Sequence, residues 1–381
     1  MKIALLTIDN REHYHKYDLA APYFGTAPQA LLDGFSMLPD VHVDVVSCIR
    51  RPMQSPQQLA ENVRYHGVIV PKIGWLTTGY QGCIRAVRRK LRELQPDIVH
   101  GQGTERESAI CAAWSGHPNV LTIHGNMRLV AEINHARPFS YAWFAARLEA
   151  WTIPRSGGVV CITNYTREAV RGRARKTWVV PNAVDASFFD VTSSSSICPP
   201  RILCVGTICH RKNQNRLIRA LDHLATEREF QLVFLGTGEE SDPYVAQFRE
   251  LIAQRPWCRH EGFANREALK SAFAGASFLI LPSLEDNCPM VVLEAMAAGK
   301  PVAVARVGGV PDLVEEGMTG TFCDPLVEST MADAVRRLLD DQARAQAMGE
   351  AARRIARERF HPRVIATKHL EIYREVLSAR S

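Results

Sequence analysis

Along the chain, short aliphatic and β-branched runs alternate with stretches in which apolar residues recur at helical spacing. The runs Lys2 to Ile8, His42 to Ser47, Gly67 to Val70, Asp97 to His100, Val120 to His124 and Gly158 to Ile162 read as buried strands. Strands that alternate with helices form βαβ units and a mostly parallel sheet. The pattern pauses at Pro181 to Asp185 and at the polar stretch Thr192 to Ser196, closed by Pro199 and Pro200. Such a cluster of turn formers marks a boundary. A second series follows in Arg201 to Gly206, Phe230 to Leu235, Ser277 to Leu281 and Pro301 to Ala305. From Met331 onward the period is helical, with a break at His361-Pro362, where proline lacks an amide and restricts the residue before it. The fold expected is α/β, with two doubly wound Rossmann-like domains. The first spans 1–180, a linker 181–200 and the second 201–360. A terminal helix over 361–381 is expected to cross back to the first domain.

In open parallel sheets ligands bind beyond the carboxyl ends of strands, where helix N-termini present free amides. The densest polar cluster lies in such a place. Strand Ser277 to Leu281 runs into Pro282-Ser283-Leu284-Glu285-Asp286-Asn287-Cys288, then a helix that can start at Pro289 and end at Gly299, a residue suited to a left-handed cap. First-turn amides at Met290 and Val291 suit a phosphate, and Glu294 can accept from sugar hydroxyls. A second cluster, Gly206-Thr207-Ile208-Cys209-His210-Arg211-Lys212, follows the first strand of the second domain. Exposed acids and a solvated Lys-Arg pair are the plainer readings of these residues. Their shared place after strands favours a site. In the first half, His124 stands at the end of a buried strand before Gly125, and His100 holds a similar place with less around it.

The segment from Asp286 to Glu294 resembles the E-x7-E motif of family 4 retaining glycosyltransferases, with aspartate at its first position. The resemblance extends from about residue 95 to the C-terminus, through Val180-Pro181-Asn182, Gly236-Thr237-Gly238 and Gly308-Gly309-Val310-Pro311. It implies the GT-B architecture, two facing Rossmann-like domains with an interdomain cleft, and a nucleotide-sugar donor. By the same resemblance Glu294 binds the nucleotide ribose and Asp286 the transferred sugar, with Glu285 as an alternative contact and Asn287 beside them. Lys212 takes the lysine position of a G-R-x-x-x-x-K element that holds the donor diphosphate. Thr207 stands where that element has arginine, so either Arg211 supplies the second charge or the leaving group is clamped less tightly. Gly25 and Thr26 lie where relatives carry a glycine-rich loop facing the donor, and His124 matches an active-site histidine that meets sugar or acceptor. The family retains anomeric configuration by a front-face route in which the leaving phosphate takes the acceptor proton.

Composition narrows this further. With 381 residues, 46% of them hydrophobic and 23% charged, the chain has the makeup of a globular protein of two domains. The N-terminal apolar run is too short for a signal peptide, and no stretch approaches the roughly 20 apolar residues of a membrane span. Ten cysteines are scattered without metal spacing, which fits a reducing cytoplasm. No D-x-D sequence occurs, so neither a metal nor any cofactor is expected beyond a nucleotide-diphosphate sugar as co-substrate, UDP-sugar first. The net charge of +6 is uneven: residues 1–180 hold 22 Lys and Arg against 14 Asp and Glu (+8), leaving 24 against 26 (−2) in 181–381. The basic half carries Arg85, Arg88, Arg89 and Arg92 at i, i+3, i+4 and i+7, next to an apolar face of Ile84, Val87, Leu91 and Leu94. A solvated face is one reading and peripheral docking on an anionic membrane the other. The expected partners are the donor and a glycan or lipid-linked acceptor. No aromatic-interleaved basic motif points to nucleic acid, and no G-x-G-x-x-G follows a strand as a dehydrogenase would need. A nucleotide-sugar epimerase of the same fold, or a binding protein without catalysis, are the competing expectations.

Overall fold

The computed structural model describes residues 1–71, 75–133, 135–192 and 198–379. From Ser193 to Ser196 the expected polar stretch lies outside the described residues, as do the last two positions of the terminal helix. The chain forms two compact units, Met1–Ala183 with Pro362–Ser381, and Val184–His361.

The first unit is built on eight strands: β1 (Lys2–Leu6), β2 (His42–Ile49), β3 (Gln58–Ala60), β4 (Val63–Ile69), β5 (Ile98–Gln102), β6 (Asn119–Ile123), β7 (Val159–Cys161) and β8 (Thr177–Val179). Their order in the sheet is β3-β4-β2-β1-β5-β6-β7-β8. Every pair is parallel except β3 with β4. One face of the sheet is covered by helices Thr26–Ser36 and Pro362–Ser378, whose Phe35 and Tyr373 rings stack at 6.2 Å. The other carries helices Gln81–Leu94, Glu107–Ala113 and Tyr141–Thr152. On Gln81–Leu94 the residues Cys83, Ile84, Val87 and Leu91 are buried, while Arg85, Arg88, Arg89 and Arg92 are exposed. Each large aliphatic side chain so removed from water contributes about 1.5–3 kcal/mol before packing entropy is subtracted. Leu94 is only partly covered, so the apolar face is one residue shorter than its spacing predicts.

The second unit has six parallel strands, β9 (Arg201–Val205), β10 (Gln231–Leu235), β11 (Cys258–His260), β12 (Phe278–Leu281), β13 (Val302–Ala305) and β14 (Gly320–Cys323). They are ordered β11-β10-β9-β12-β13-β14. β12 is wholly buried and flanked by β9 and β13, which is why Phe278 to Leu281 is apolar without alternation.

Two boundaries differ from the expectation. The expected linker 181–200 is no separate element over 184–192. Asp185 caps the 3₁₀ turn Ala186–Asp190, pairs with Arg266 at 2.5 Å, and Phe188 packs edge-on against Phe273. The helical stretch after Met331 breaks at Asp341 as well as at His361. Asp341 ends helix Glu328–Asp340 and caps helix Gln342–Arg359 by accepting from the Arg344 amide. Helix Pro362–Ser378 then belongs to the first unit. All ten cysteines are free thiols, and no helix among the described residues is long and apolar enough to cross a membrane.

Candidate functional site

A doubly wound sheet opens a crevice where its strand order reverses. In the second unit that point lies between β9 and β12, and the two polar clusters of the sequence follow these very strands. β9 leads through Gly206 and an exposed Thr207 to the 3₁₀ turn His210–Lys212. β12 leads into 282–289 and then helix Met290–Ala297. The two loops are stitched together, because the Leu284 amide donates to the Arg211 carbonyl at 2.8 Å. Lys212 Nζ lies 2.5 Å from Asp286 Oδ2, and the Ser283 hydroxyl donates to the same oxygen at 3.0 Å. Arg211 Nη1 donates to the Glu285 carbonyl at 2.8 Å and stands 3.8 Å from Asp286 Oδ1 and 3.7 Å from Glu285 Oε2. A third loop, after β13, supports the acid from behind. The Gly309 amide donates to the Asp286 carbonyl at 3.0 Å, and a Cβ on Gly308 (φ 52°) would stand 2.0 Å from that oxygen.

Lys212 and Asp286 are mostly buried, with side chains 12% and 11% exposed. Desolvating such a pair costs as much as its attraction returns, so stability alone does not account for it. Burial also raises the Glu285 carboxyl above its ordinary range, against the pull of Arg211. Groups shifted in this way at a strand-end crevice are the usual mark of a working site.

Glu294, on the same helix, is 8% exposed, and among the described residues its carboxylate accepts no hydrogen bond. Burial pushes it up to about 7, with Arg266 opposing and Asp185 adding to the rise. It is therefore a buried acid with unused acceptor capacity. Pro289 caps the helix in extended geometry, Gly299 follows its end with φ 71°, and Met290 and Val291 occupy the first two positions, half-buried. Their amides have no partner within the helix. Asn287 sits partly buried between the acids and the helix. Thr207 adds no charge; its carbonyl accepts from Gln214 Nε2 at 2.9 Å. The second cation of the cluster is Arg211.

In the first unit the strand order reverses between β1 and β5. His124 directly follows β6, the next strand across, and its Nε2 meets Gln102 Oε1, at the end of β5, at 2.8 Å. Burial pushes the imidazole down to about 4, with a hydrogen bond between it and Asn182 acting the other way. It is neutral at physiological pH. His100 is fully buried, 2.7 Å from the Thr122 hydroxyl and 2.5 Å from the Tyr373 hydroxyl. Gly25 caps helix Thr26–Ser36 with an ordinary φ of −65°, and a Cβ there would meet Pro28 at only van der Waals distance, so the backbone does not require glycine. Thr26 is exposed at the first helical position. Sequence reasoning missed Gln102, Tyr373, Asp185 and Arg266. These residues carry no local signature, since each gains its partner from a distant element.

Residues 196–355 match the family described as Glycosyl transferases group 1, and residues 38–188 match Glycosyltransferase Family 4. Among curated proteins the chain is 28% identical over 298 residues to a glycogen synthase of Mycobacterium tuberculosis, covering 74% of this chain and 69% of the relative. It is 25% identical over 377 residues to the 2-deoxystreptamine glucosyltransferase of Streptomyces kanamyceticus, covering 91% and 94%. Among solved structures it shares the fold of a sucrose-phosphate synthase from Thermosynechococcus elongatus, with a TM-score of 0.78, 18% identity and full coverage of both chains. It also shares the fold of Anabaena HepE in complex with UDP-glucose, with a TM-score of 0.73, 19% identity and coverage of 98% and 100%.

Proposed function

The chain belongs to the group 1, family 4 glycosyltransferases of GT-B fold, and on that premise we propose that it is a retaining enzyme using a nucleotide-diphosphate sugar. The sugar moves to a hydroxyl of a glycan, lipid-linked or small-molecule acceptor. The observation that carries this reading is the buried Lys212–Asp286 pair with Arg211, at the carboxyl ends of β9 and β12.

In this reading the donor diphosphate lies against Lys212, Arg211 and the Met290 and Val291 amides. Those groups stabilise the negative charge that grows on the leaving group as the glycosidic bond breaks. The diphosphate draws Lys212 from Asp286 and frees Asp286 for the hydroxyls of the transferred sugar, with Glu285 beside it. Glu294 accepts from the ribose hydroxyls in its carboxylate form. Neither Asp286 nor Glu294 acts as a covalent nucleophile; the departing phosphate takes the acceptor proton on the same face. Gly25, Thr26 and His124 serve the sugar and acceptor side. Charge stabilisation comes from side chains and amides, so transfer is expected to persist in EDTA.

The UDP-glucose held by the Anabaena protein of like fold makes that donor the first to try. The test is a panel of UDP-, GDP- and ADP-sugars, read by thermal shift and by release of nucleotide with and without an acceptor. One class should raise the melting temperature, because a ligand that binds only the folded state stabilises it. Its product, followed by NMR, should keep the donor's anomeric configuration. An inverted product would sink the retaining assignment, and no stabilisation by any nucleotide sugar would sink the donor site.

A further inference from the structure

His124 was legible as a candidate, but what holds it was not. Gln102 lies at the end of β5 and reaches in two directions. Its Oε1 is 2.8 Å from His124 Nε2, and its Nε2 is 3.1 Å from His100 Nε2. A carboxamide oxygen only accepts and its nitrogen only donates. The Oε1 contact therefore has Gln102 accepting from His124, so the His124 proton sits on Nε2, while the amide nitrogen rests beside both ring nitrogens of His100, 3.1 Å from Nε2 and 3.4 Å from Nδ1. At the far end His100 Nε2 lies 2.7 Å from the Thr122 hydroxyl and its Nδ1 2.5 Å from the Tyr373 hydroxyl, two groups that can each donate or accept. His369 stacks on His100 at 5.3 Å and donates from Nδ1 to the Ile365 carbonyl at 2.9 Å. Burial lowers the pKa of all three imidazoles. The chain of contacts ends on helix Pro362–Ser378, so the last helix of the sequence anchors the network.

We propose that Gln102, packed between His124 and His100, is the positioning residue of His124, holding it as the Nε2–H tautomer through its Oε1. Which ring nitrogen carries the proton is set by the bond the other groups impose. His124 then meets sugar or acceptor as a neutral ring of fixed orientation, and it does not act as a general acid. This inference rests on the reading of His124 as a substrate contact, and the tests separate the two.

The primary measurement is the ¹⁵N spectrum of imidazole-labelled wild-type protein at pH 7, with the His124 signals assigned by comparison with His124→Ala. A protonated Nε2 and a bare Nδ1 are expected; a protonated Nδ1 or a charged ring would overturn the proposal without any variant of Gln102. In Gln102→Leu the single tautomer should be lost and kcat should fall about tenfold, the worth of one well-formed hydrogen bond, with the donor KM within twofold. Gln102→Glu keeps the acceptor and should restore the Nε2 proton, but as a charged imidazole near neutrality. An unchanged His124 spectrum in Gln102→Leu contradicts the proposal. Full transfer in His124→Ala would instead remove the substrate-contact reading, while the tautomer assignment stands or falls on the spectra.

Discussion

The two units solve the problem of placing polar groups at a sheet edge in opposite ways. In the second, the crevice between β9 and β12 is lined with charge: Lys212, Arg211, Asp286, Glu285 and a buried Glu294 near neutrality. In the first, the groups behind His124 are imidazole, carboxamide and phenol in hydrogen-bond contact. The contrast suits a division of labour. A diphosphate leaving group develops charge and needs fixed charge opposite it. A hydroxyl acceptor needs orientation, which neutral hydrogen bonds give without desolvated ions.

Removing a charge from the second unit should therefore do more damage than removing any neutral member of the first. Lys212→Ala is expected to cost at least about a hundredfold in kcat/KM, in the range seen when a transition-state donor is deleted, with a native circular dichroism spectrum. Asp286→Ala should be nearly as severe. Steady-state kinetics on the folded variants decide this, and a Lys212→Ala enzyme less impaired than His124→Ala would reverse the comparison.

Glu294 sharpens it through pH. Its folded pKa of about 7 lies above the ordinary carboxyl value of 4.5. The fold therefore favours the protonated acid, and the stability tied to that proton is fully present below pH 4.5 and lost as pH rises through 7. A shift of this size corresponds to roughly 3 kcal/mol. Glu294→Gln should remove that loss, so denaturant unfolding at pH 8 should show it more stable than wild type, while the two converge near pH 4. Equal stabilities at pH 8 would mean that Glu294 is not held against its charge.

Smaller effects follow. Glu285→Ala should lower transfer less than Asp286→Ala, since Lys212 and Ser283 both contact Asp286 while the Glu285 carboxylate stands 3.7 Å from Arg211; the reverse order would move the sugar contact to Glu285. The smallest catalytic effect is expected at the exposed stripe of helix Gln81–Leu94. Replacing Arg85, Arg88, Arg89 and Arg92 with glutamine should leave transfer to a soluble acceptor intact. If the stripe docks on anionic lipid, the wild type should sediment with anionic vesicles at low salt and the variant should not, each side chain near the surface being worth on the order of 1 kcal/mol. Unchanged vesicle binding would leave the stripe a solvated face.

The same contrast explains what could be read from the chain. Charged residues directly after apolar strands stand out in one dimension, so Lys212, Asp286 and Glu294 could be singled out as candidates, their roles coming from the family resemblance, and ten of the fourteen described strands read as apolar runs. Of the four three-residue strands only β7, inside the apolar run Gly158 to Ile162, could be read; β3, β8 and β11 lack such a run, and β14 hides among glycine and threonine. Strand order was not legible at all, and it is the reversal between β9 and β12 that turns two separate motifs into one crevice. Gln102, His100 and Tyr373 lie up to 273 positions apart, and a set of contacts gathered by the fold leaves no pattern in sequence. The segment 184–192 looked like linker because Asp185 and Phe188 find Arg266 and Phe273 only in the folded unit.

The central claim is that a nucleotide sugar binds the second unit through Glu294 and the Lys212 cluster. Calorimetric titration of UDP-glucose, or of the donor class found in the panel, into wild type and Glu294→Gln between pH 6 and pH 8 tests it most directly. Wild-type affinity should rise across that interval as Glu294 ionises and becomes an acceptor for ribose hydroxyls, and the glutamine variant should bind weakly and without that pH dependence. Identical isotherms for the two proteins at both pH values would contradict the account.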